Sequence, residues 1–360
     1  MPCGPQMVDR IRRAWDEGDA IFPLDQRLPA PARALVMDAV KPTRVATVDN
    51  ETDMPGTFVE TGDAVVVATS GTTGQPKAVV LTLDAVAASA QATSRRLGVT
   101  SSDKWLACLP PSHVGGLSVI LRSIVTDTPL IAVPTFSVEA YNTAAREGAT
   151  LVSLVSTALQ RVDSSKFRTI VLGGARPPQD RPANTVTTYG MTETGSGVVY
   201  DGIPLENVEI DIRESIIYIK APMLMRAYRD GESPLTHDGW LRTGDIGTFE
   251  NGLLSVEGRK GDLIITGGEN VWPEDVEAAI RTSSLVNDVC VAGVPDHKWG
   301  QLVTAWIVAN EQKPSLEDIR SHVKESLPAH CAPHRIEIVT EIPRTSLGKP
   351  KRTELIRSLN

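Results

Sequence analysis

The chain has 360 residues, 41% hydrophobic and 22% charged, with a formal net charge of −8. That length predicts two or three domains at about 150 residues each, and the apolar share is enough for a sizeable core. The acidic balance argues against a nucleic-acid scaffold, because a phosphate backbone calls for a basic surface; it leaves room for a local basic pocket.

The first residues, MPCGPQMVDRIRRAWDEGDAIF, lack a long apolar stretch, so no secretory signal is expected. No run of about 18 apolar residues occurs, so no membrane span is expected. Cys3, Cys108, Cys290 and Cys331 are scattered without a CxxC pair, which supports neither a disulfide framework nor a cysteine zinc site. A reducing cytoplasm fits best.

Residues 1–62 are Pro-rich and yield only a weak helix, Val8 to Glu17. From Asp63 the pattern sharpens. AVVVAT, Ala64 to Thr69, reads as a buried strand. After a loop and the short apolar stretch AVVLT, Leu83 to Leu97 reads as a helix with Thr82 as N-cap and Gly98 as stop. KWLACL, PLIAVP, TLVSLV and TIVLGG then read as strands, with helical stretches after Gly116 and over Val138 to Glu147. Strands alternating with helices predict a parallel sheet covered on both faces. Over 200–257, short strands among Gly and Pro (VEIDI, SIIYIK, LLSVEG) predict an antiparallel or barrel-like piece. After Arg259 the order is strand-helix-strand-strand-helix-strand, with Pro273 opening one helix and Ser315 and Asp318 capping the other. The expectation is an α/β protein. A large N-terminal domain, residues 1–260, has parallel sheets flanked by helices and a small β-barrel-like piece; a small α+β lobe spans 261–360.

The loop Thr69-Ser70-Gly71-Thr72-Thr73-Gly74-Gln75-Pro76-Lys77 combines hydroxyls, glycines and a lysine. Glycines let the backbone approach an anion and present its N–H groups; hydroxyls and Lys77 add donors and charge. The spacing is not that of a Walker A loop, and a solvated Ser/Thr/Gly turn remains the bland reading. Four further segments bear on it: Tyr189-Gly190-Met191-Thr192-Glu193-Thr194, Gly239 to Asp245 (GWLRTGD), Gly258 to Asp262 (GRKGD) with Gly267-Gly268-Glu269-Asn270, and Pro343 to Lys349 (PRTSLGK).

Together, and in this order, these segments resemble the adenylate-forming superfamily of acyl-CoA synthetases, peptide-synthetase adenylation domains and luciferases. The resemblance covers residues 63–355. It implies that the Thr69–Lys77 loop holds ATP phosphates and that Glu193, beside Thr192, positions Mg²⁺. Gly173-Gly174-Ala175 would lie along the adenine and acyl pocket, and Tyr189 and Gly190 would belong to the ATP site; an ordinary turn is the bland alternative for Gly-Gly-Ala. Asp245 and Arg259 would hold the ribose, and Lys349 would stabilise charge as a substrate carboxylate attacks the α-phosphate. Gly261 stands at the family's hinge, where Asp or Lys is usual. Gly267 and Gly268 would line the thiol channel. His113, in PPSHVGG with Gly115, borders the acyl pocket in related ligases, or is a satisfied loop histidine. His330 and His334 look metal-like only superficially, and Pro333 favours a loop.

What the resemblance implies is formation of an acyl-adenylate, then transfer to a thiol. ATP, Mg²⁺ and coenzyme A are the implied cofactor and co-substrates, with no nucleic acid and no membrane span; a homodimer stays open. The phosphate loop begins early, at Thr69, so the usual front subdomain is abbreviated. Short ligases of this shape look like actinobacterial o-succinylbenzoate–CoA ligases of menaquinone synthesis. A substrate with two carboxylates would need a polar clamp such as Arg122 or Ser112. Other acids, a carrier-protein acceptor and a nucleotide-binding pseudoenzyme are the alternatives.

Overall fold

The computed structural model describes residues 2–69, 76–174, 176–178, 180–344 and 350–359. The chain divides into two compact units: Met1–Asp211 with Tyr218–Arg242 and Phe249–Leu254, and Ile212–Ile217 with Thr243–Thr248 and Ser255–Asn360.

The larger unit is built on a seven-stranded sheet in the order Ile203–Pro204, Gly197–Tyr200, Thr185–Gly190, Thr169–Leu172, Leu151–Leu154, Trp105–Ala107, Leu130–Ala132. The last five run parallel. The first two turn back through Asp201-Gly202, both at positive φ, a two-residue hairpin that suits the strands' right-handed twist. Leu151–Leu154 and Thr169–Leu172 are buried at every residue, which is why they read as continuous apolar runs. Tyr141 and Phe167 pack centroid to centroid at 4.5 Å in a cluster with Leu106, Val152, Leu154 and Ile170. Helix Leu83–Arg96 is capped by Thr82, whose hydroxyl accepts from Ala85 N at 3.2 Å. It carries Asp84 in its first turn and Arg95 and Arg96 in its last, matching the helix dipole.

The strand Asp63–Thr69 departs from the expected parallel alternation. It pairs antiparallel with Lys77–Thr82, which pairs antiparallel with Ala227–Tyr228. The cause is that the intervening loop is too short for a crossover helix, so the chain doubles back. Burial on both faces gives the strand the same apolar run that a parallel strand shows. Residues 1–62 hold more structure than their composition suggests: helices Pro5–Asp16 and Ala30–Val40, and the antiparallel pair Arg44–Ala46 with Glu51–Asp53. The prolines open both helices, where a missing N–H costs nothing.

Glu209–Arg213, Ile216–Lys220, Leu241–Glu250 and Leu253–Arg259 form a four-stranded sheet in that order. Glu214-Ser215 and Asn251-Gly252 make positive-φ turns between successive strands. In the smaller unit, Glu269–Val271, Ile264–Thr266, Gly300–Ala309 and Val286–Asp296 are neighbours in a sheet, and Arg335–Ile338 adds parallel to Gly300–Ala309. Helices Pro273–Arg281 and Leu316–Lys324 supply Val276, Ile280, Ile319 and Val323 to its core. Ser315 and Asp318 form the expected capping box. A closing helix, Arg352–Arg357, buries Leu355 with Cys290, Trp306 and Ile342. All four cysteines are buried free thiols. No helix among the described residues is long and apolar enough to cross a membrane.

Candidate functional site

In the larger unit the segment after Thr185–Gly190 turns sharply. Gly190 faces Gly197 across the strand pair; a side chain at Gly190 would overlap Ser196 O and stand 2.7 Å from Gly197 Cα. Thr192–Thr194 then form a single 3₁₀ turn. Thr194, fully buried, donates to Ser196 O at 2.7 Å and accepts from Met191 N at 2.9 Å. Glu193 O accepts from Met225 N at 2.8 Å, so the backbone under the Glu193 carboxylate is fixed from two sides. Gly173 directly follows the strand Thr169–Leu172 and faces Thr188, whose Oγ1 would meet a Cβ there at 2.7 Å, and Gly174 has φ 88°, a value that favours glycine. Tyr189 lies in the same strand as Thr188.

The Glu193 carboxylate accepts from Tyr228 Oη at 3.0 Å. Lys77 Nζ lies 4.6 Å from the Tyr228 ring centre and 3.1 Å from Glu232 Oε2. Thr69 pairs with Lys77 in register, and its Oγ1 donates to Lys77 O at 3.3 Å. Lys77 and Glu193, two residues singled out from sequence, are thus brought together by a tyrosine that was not. Arg226 forms a fork with the buried carboxylate of Asp63 at 2.8 Å on each arm. Arg229 donates to the carbonyls of Val40, Phe58 and Thr57. The strand bearing Tyr228 is therefore fastened on both flanks. Among the described residues, no group of three His, Cys, Asp or Glu could cage a metal. A lone held carboxylate suits Mg²⁺, which commonly takes one or two carboxylates plus substrate phosphates.

His113 stands at the start of helix Val114–Thr126, with its carbonyl accepting from Gly116 N and Leu117 N. Its Nε2 lies 3.9 Å from Asp25 Oδ2, and Asp25 is gripped by Arg27 through Nε and Nη2 at 2.9 and 2.8 Å. Burial pushes the His113 pKa down to about 4, against the opposing charge of Asp25. Gly115 is exposed beside it. Arg122 does not join this cluster. It lies nine residues further along the helix, about 13 Å, and its guanidinium carbon is 4.8 Å from the Trp105 ring centre. Burial lowers its pKa, and its Nε and Nη1 have no hydrogen-bond partner among the described residues.

In the smaller unit, Asp245 Oδ1 lies 3.9 Å from Arg259 Nε. Asp245 N donates to Thr243 Oγ1, which donates to Ile217 O, and Lys260 N donates to Gly244 O. Gly261 is in the turn closed by Asp262 N to Arg259 O at 2.9 Å, with open space where a side chain would stand. Gly267 and Gly268, at φ 59° and 87°, form the hairpin turn between Ile264–Thr266 and Glu269–Val271. A Cβ on Gly267 would press on the Trp299 ring at 2.9 Å.

Ser70, Gly71, Thr72, Thr73, Gly74, Ala175 and Lys349 lie outside the described residues. Both flanks of Lys349 are described. Arg344 grips Asp288 at 2.8 and 2.6 Å, and Lys351 N donates to Pro343 O. Arg352 donates to Glu277 Oε1 at 2.8 Å, Glu274 Oε1 at 3.0 Å and Val291 O at 2.9 Å, and lies 3.6 Å from Asp262.

Two family models match, described as AMP-binding enzyme over residues 15–223 and AMP-binding enzyme C-terminal domain over 275–349. The chain belongs to the AMP-binding enzyme family. It is 35% identical to a Mycobacterium tuberculosis protein named "Probable 2-succinylbenzoate--CoA ligase", over 91% of this chain and 94% of that one. It is 33% identical to the 2-succinylbenzoate–CoA ligase of Bacillus anthracis, over 81% and 69%. Among solved structures, o-succinylbenzoate CoA synthetase from Bacillus subtilis, in complex with its acyl-adenylate intermediate, superposes with a TM-score of 0.77 at 27% identity, covering 97% of this chain and 80% of that one. ATP-bound MatB from Rhodopseudomonas palustris, at 20% identity and a TM-score of 0.84, covers 98% and 86% and shares the fold.

Proposed function

We propose that this chain is an ATP-dependent acid–CoA ligase whose acid is 2-succinylbenzoate, placing it in menaquinone synthesis. The observation that carries the proposal is the likeness to 2-succinylbenzoate–CoA ligases along nearly the whole chain, joined to a carboxylate and a lysine held together at Tyr228. In the first half-reaction a carboxylate oxygen of the acid attacks the α-phosphorus, the bond to the β-phosphate oxygen breaks, and pyrophosphate leaves. In the second, the sulfur of CoA attacks the acyl carbon, and AMP leaves with the anhydride oxygen.

We assign Thr69, Ser70, Gly71, Thr72, Thr73, Gly74 and Lys77 to the phosphates, and Thr192 and Glu193 to the reacting end, with Glu193 toward Mg²⁺. When bound, the cation would neutralise phosphate charge. Gly173, Gly174, Ala175, Tyr189 and Gly190 are assigned to the adenine and acyl side, with His113 and Gly115 on the acid. Asp245 and Arg259 are assigned to the ribose, Lys349 to the α-phosphate, Gly261 to the hinge, and Gly267 and Gly268 to the thiol path. Residues 1–260 and 261–360 are the corresponding domains. Reliance on ATP and CoA, with four free thiols, supports a cytoplasmic location.

The test is pyrophosphate release across a panel of acids, with and without CoA. Release with 2-succinylbenzoate and thioester formation on adding CoA are expected; preference for benzoates or fatty acids would refute the substrate. Lys349→Ala is expected to slow adenylate formation at least about hundredfold while sparing thioester formation from supplied acyl-adenylate. Unchanged adenylate formation would refute the role of Lys349.

A further inference from the structure

Three elements of the larger unit converge on one side chain. The Tyr228 hydroxyl donates to Glu193 Oε1 at 3.0 Å, and the Tyr228 ring faces Lys77 Nζ at 4.6 Å. The Tyr228 backbone pairs with Val79, two residues beyond Lys77 in the same strand.

We propose that Tyr228 is a positioning residue that aims the Glu193 carboxylate at the divalent cation carried by ATP and holds Lys77 beside it. The inference deepens the proposed function and rests on that reading. A free glutamate side chain samples several rotamers, and fixing one oxygen with a hydroxyl leaves the other to face a cation. The hydrogen bond to a charged acceptor is of the stronger kind. The electron-rich face of the ring attracts the lysine ammonium, so one aromatic residue sets the spacing between the group that meets phosphate and the group that meets metal. The scaffold is stiff enough for this, because Arg226 and Arg229 anchor the two flanking positions to Asp63 and to the carbonyls of Val40, Thr57 and Phe58.

The experiment is calorimetric binding of a non-hydrolysable ATP analogue, once with saturating Mg²⁺ and once with EDTA. The unaltered chain is expected to bind more tightly with Mg²⁺. Tyr228→Phe keeps the ring and removes the hydroxyl. It is expected to lose about tenfold of the Mg²⁺-dependent gain and to keep its affinity in EDTA. In a Glu193→Gln background, adding Tyr228→Phe is expected to cost nothing further, because the metal-facing charge is already gone. Equal losses with and without Mg²⁺, or the same loss in both backgrounds, would mark general damage and overturn the inference. Binding by Tyr228→Phe identical to that of the unaltered chain would overturn it too, with the proposed function intact. Absence of Mg²⁺-dependent binding in the unaltered chain would overturn the proposed function itself, and the inference with it.

Discussion

Replacing Arg352 by methionine removes a charge while keeping most of the buried stem. Arg352 has a side chain 18% exposed and meets Glu277, 6% exposed, and Glu274, 31% exposed. Burial alone would lower the Arg352 pKa, but Glu277 and Glu274 more than reverse this and hold it above its ordinary value. Breaking such a pair strands the partner carboxylates, which costs about 3–5 kcal/mol. The low end applies here, because Glu277 keeps Val291 N at 2.9 Å and Arg281 at 3.4 Å. A loss near 3 kcal/mol is a large share of the roughly 5–15 kcal/mol that stabilises a domain. Hydrogen exchange read peptide by peptide isolates the effect. Amides of Pro273–Arg281 and Val286–Asp296 should exchange roughly hundredfold faster, while Asp63–Thr69 and Lys77–Thr82 stay unchanged. Adding Glu277→Gln to Arg352→Met should recover part of the loss. Exchange in Val286–Asp296 accelerated less than about fivefold, under 1 kcal/mol, would refute the reasoning.

Stability should also respond to pH through His113. Its folded pKa, near 4, lies below the ordinary 6.5, so its contribution is full above 6.5 and is lost as pH falls toward 4, by on the order of 3 kcal/mol. His113→Asn should flatten that part of a melting-temperature profile; a constant offset between the two chains from pH 7 to 4 would contradict the assignment. Gly190→Ala should destabilise the larger unit by about 1–3 kcal/mol and abolish nucleotide-analogue binding, since its Cβ has only Ser196 and Gly197 backbone to displace. A wild-type melting temperature together with wild-type analogue affinity would count against that reading.

Local signals carried much of the fold. The Thr82 cap, the Ser315–Asp318 box and Pro273 at a helix start are short-range chemistry, and the structure realises each. The turn of Asp63–Thr69 into an antiparallel pair was hidden because burial on both faces erases the alternation that separates the two sheet types. The residues missed at the site are those whose meaning lies in distant partners. Tyr228 reaches a carboxylate 35 positions away, and Glu232 meets a lysine 155 positions away. Asp25 belongs to the hard-to-read front of the chain, and nothing around it in sequence points to His113. Arg352 reads as one more cation in a basic tail until three carboxylates are found around it.

The buried cysteines bear on both chemistry and practice. Burial pushes Cys3 to about 11 and Cys108 and Cys290 to about 12, and raises Cys331 as well. At neutral pH almost none of this sulfur is thiolate, the form that attacks electrophiles. A protein holding a mixed anhydride therefore offers it no competing nucleophile of this kind from its own chain, and an acyl group can move to sulfur only when a thiol arrives from solution. The same silence makes the native chain a blank background for maleimide dyes. A cysteine introduced at an exposed position would carry the label alone, and the distance between two such dyes could be followed through a catalytic cycle without first stripping the native thiols.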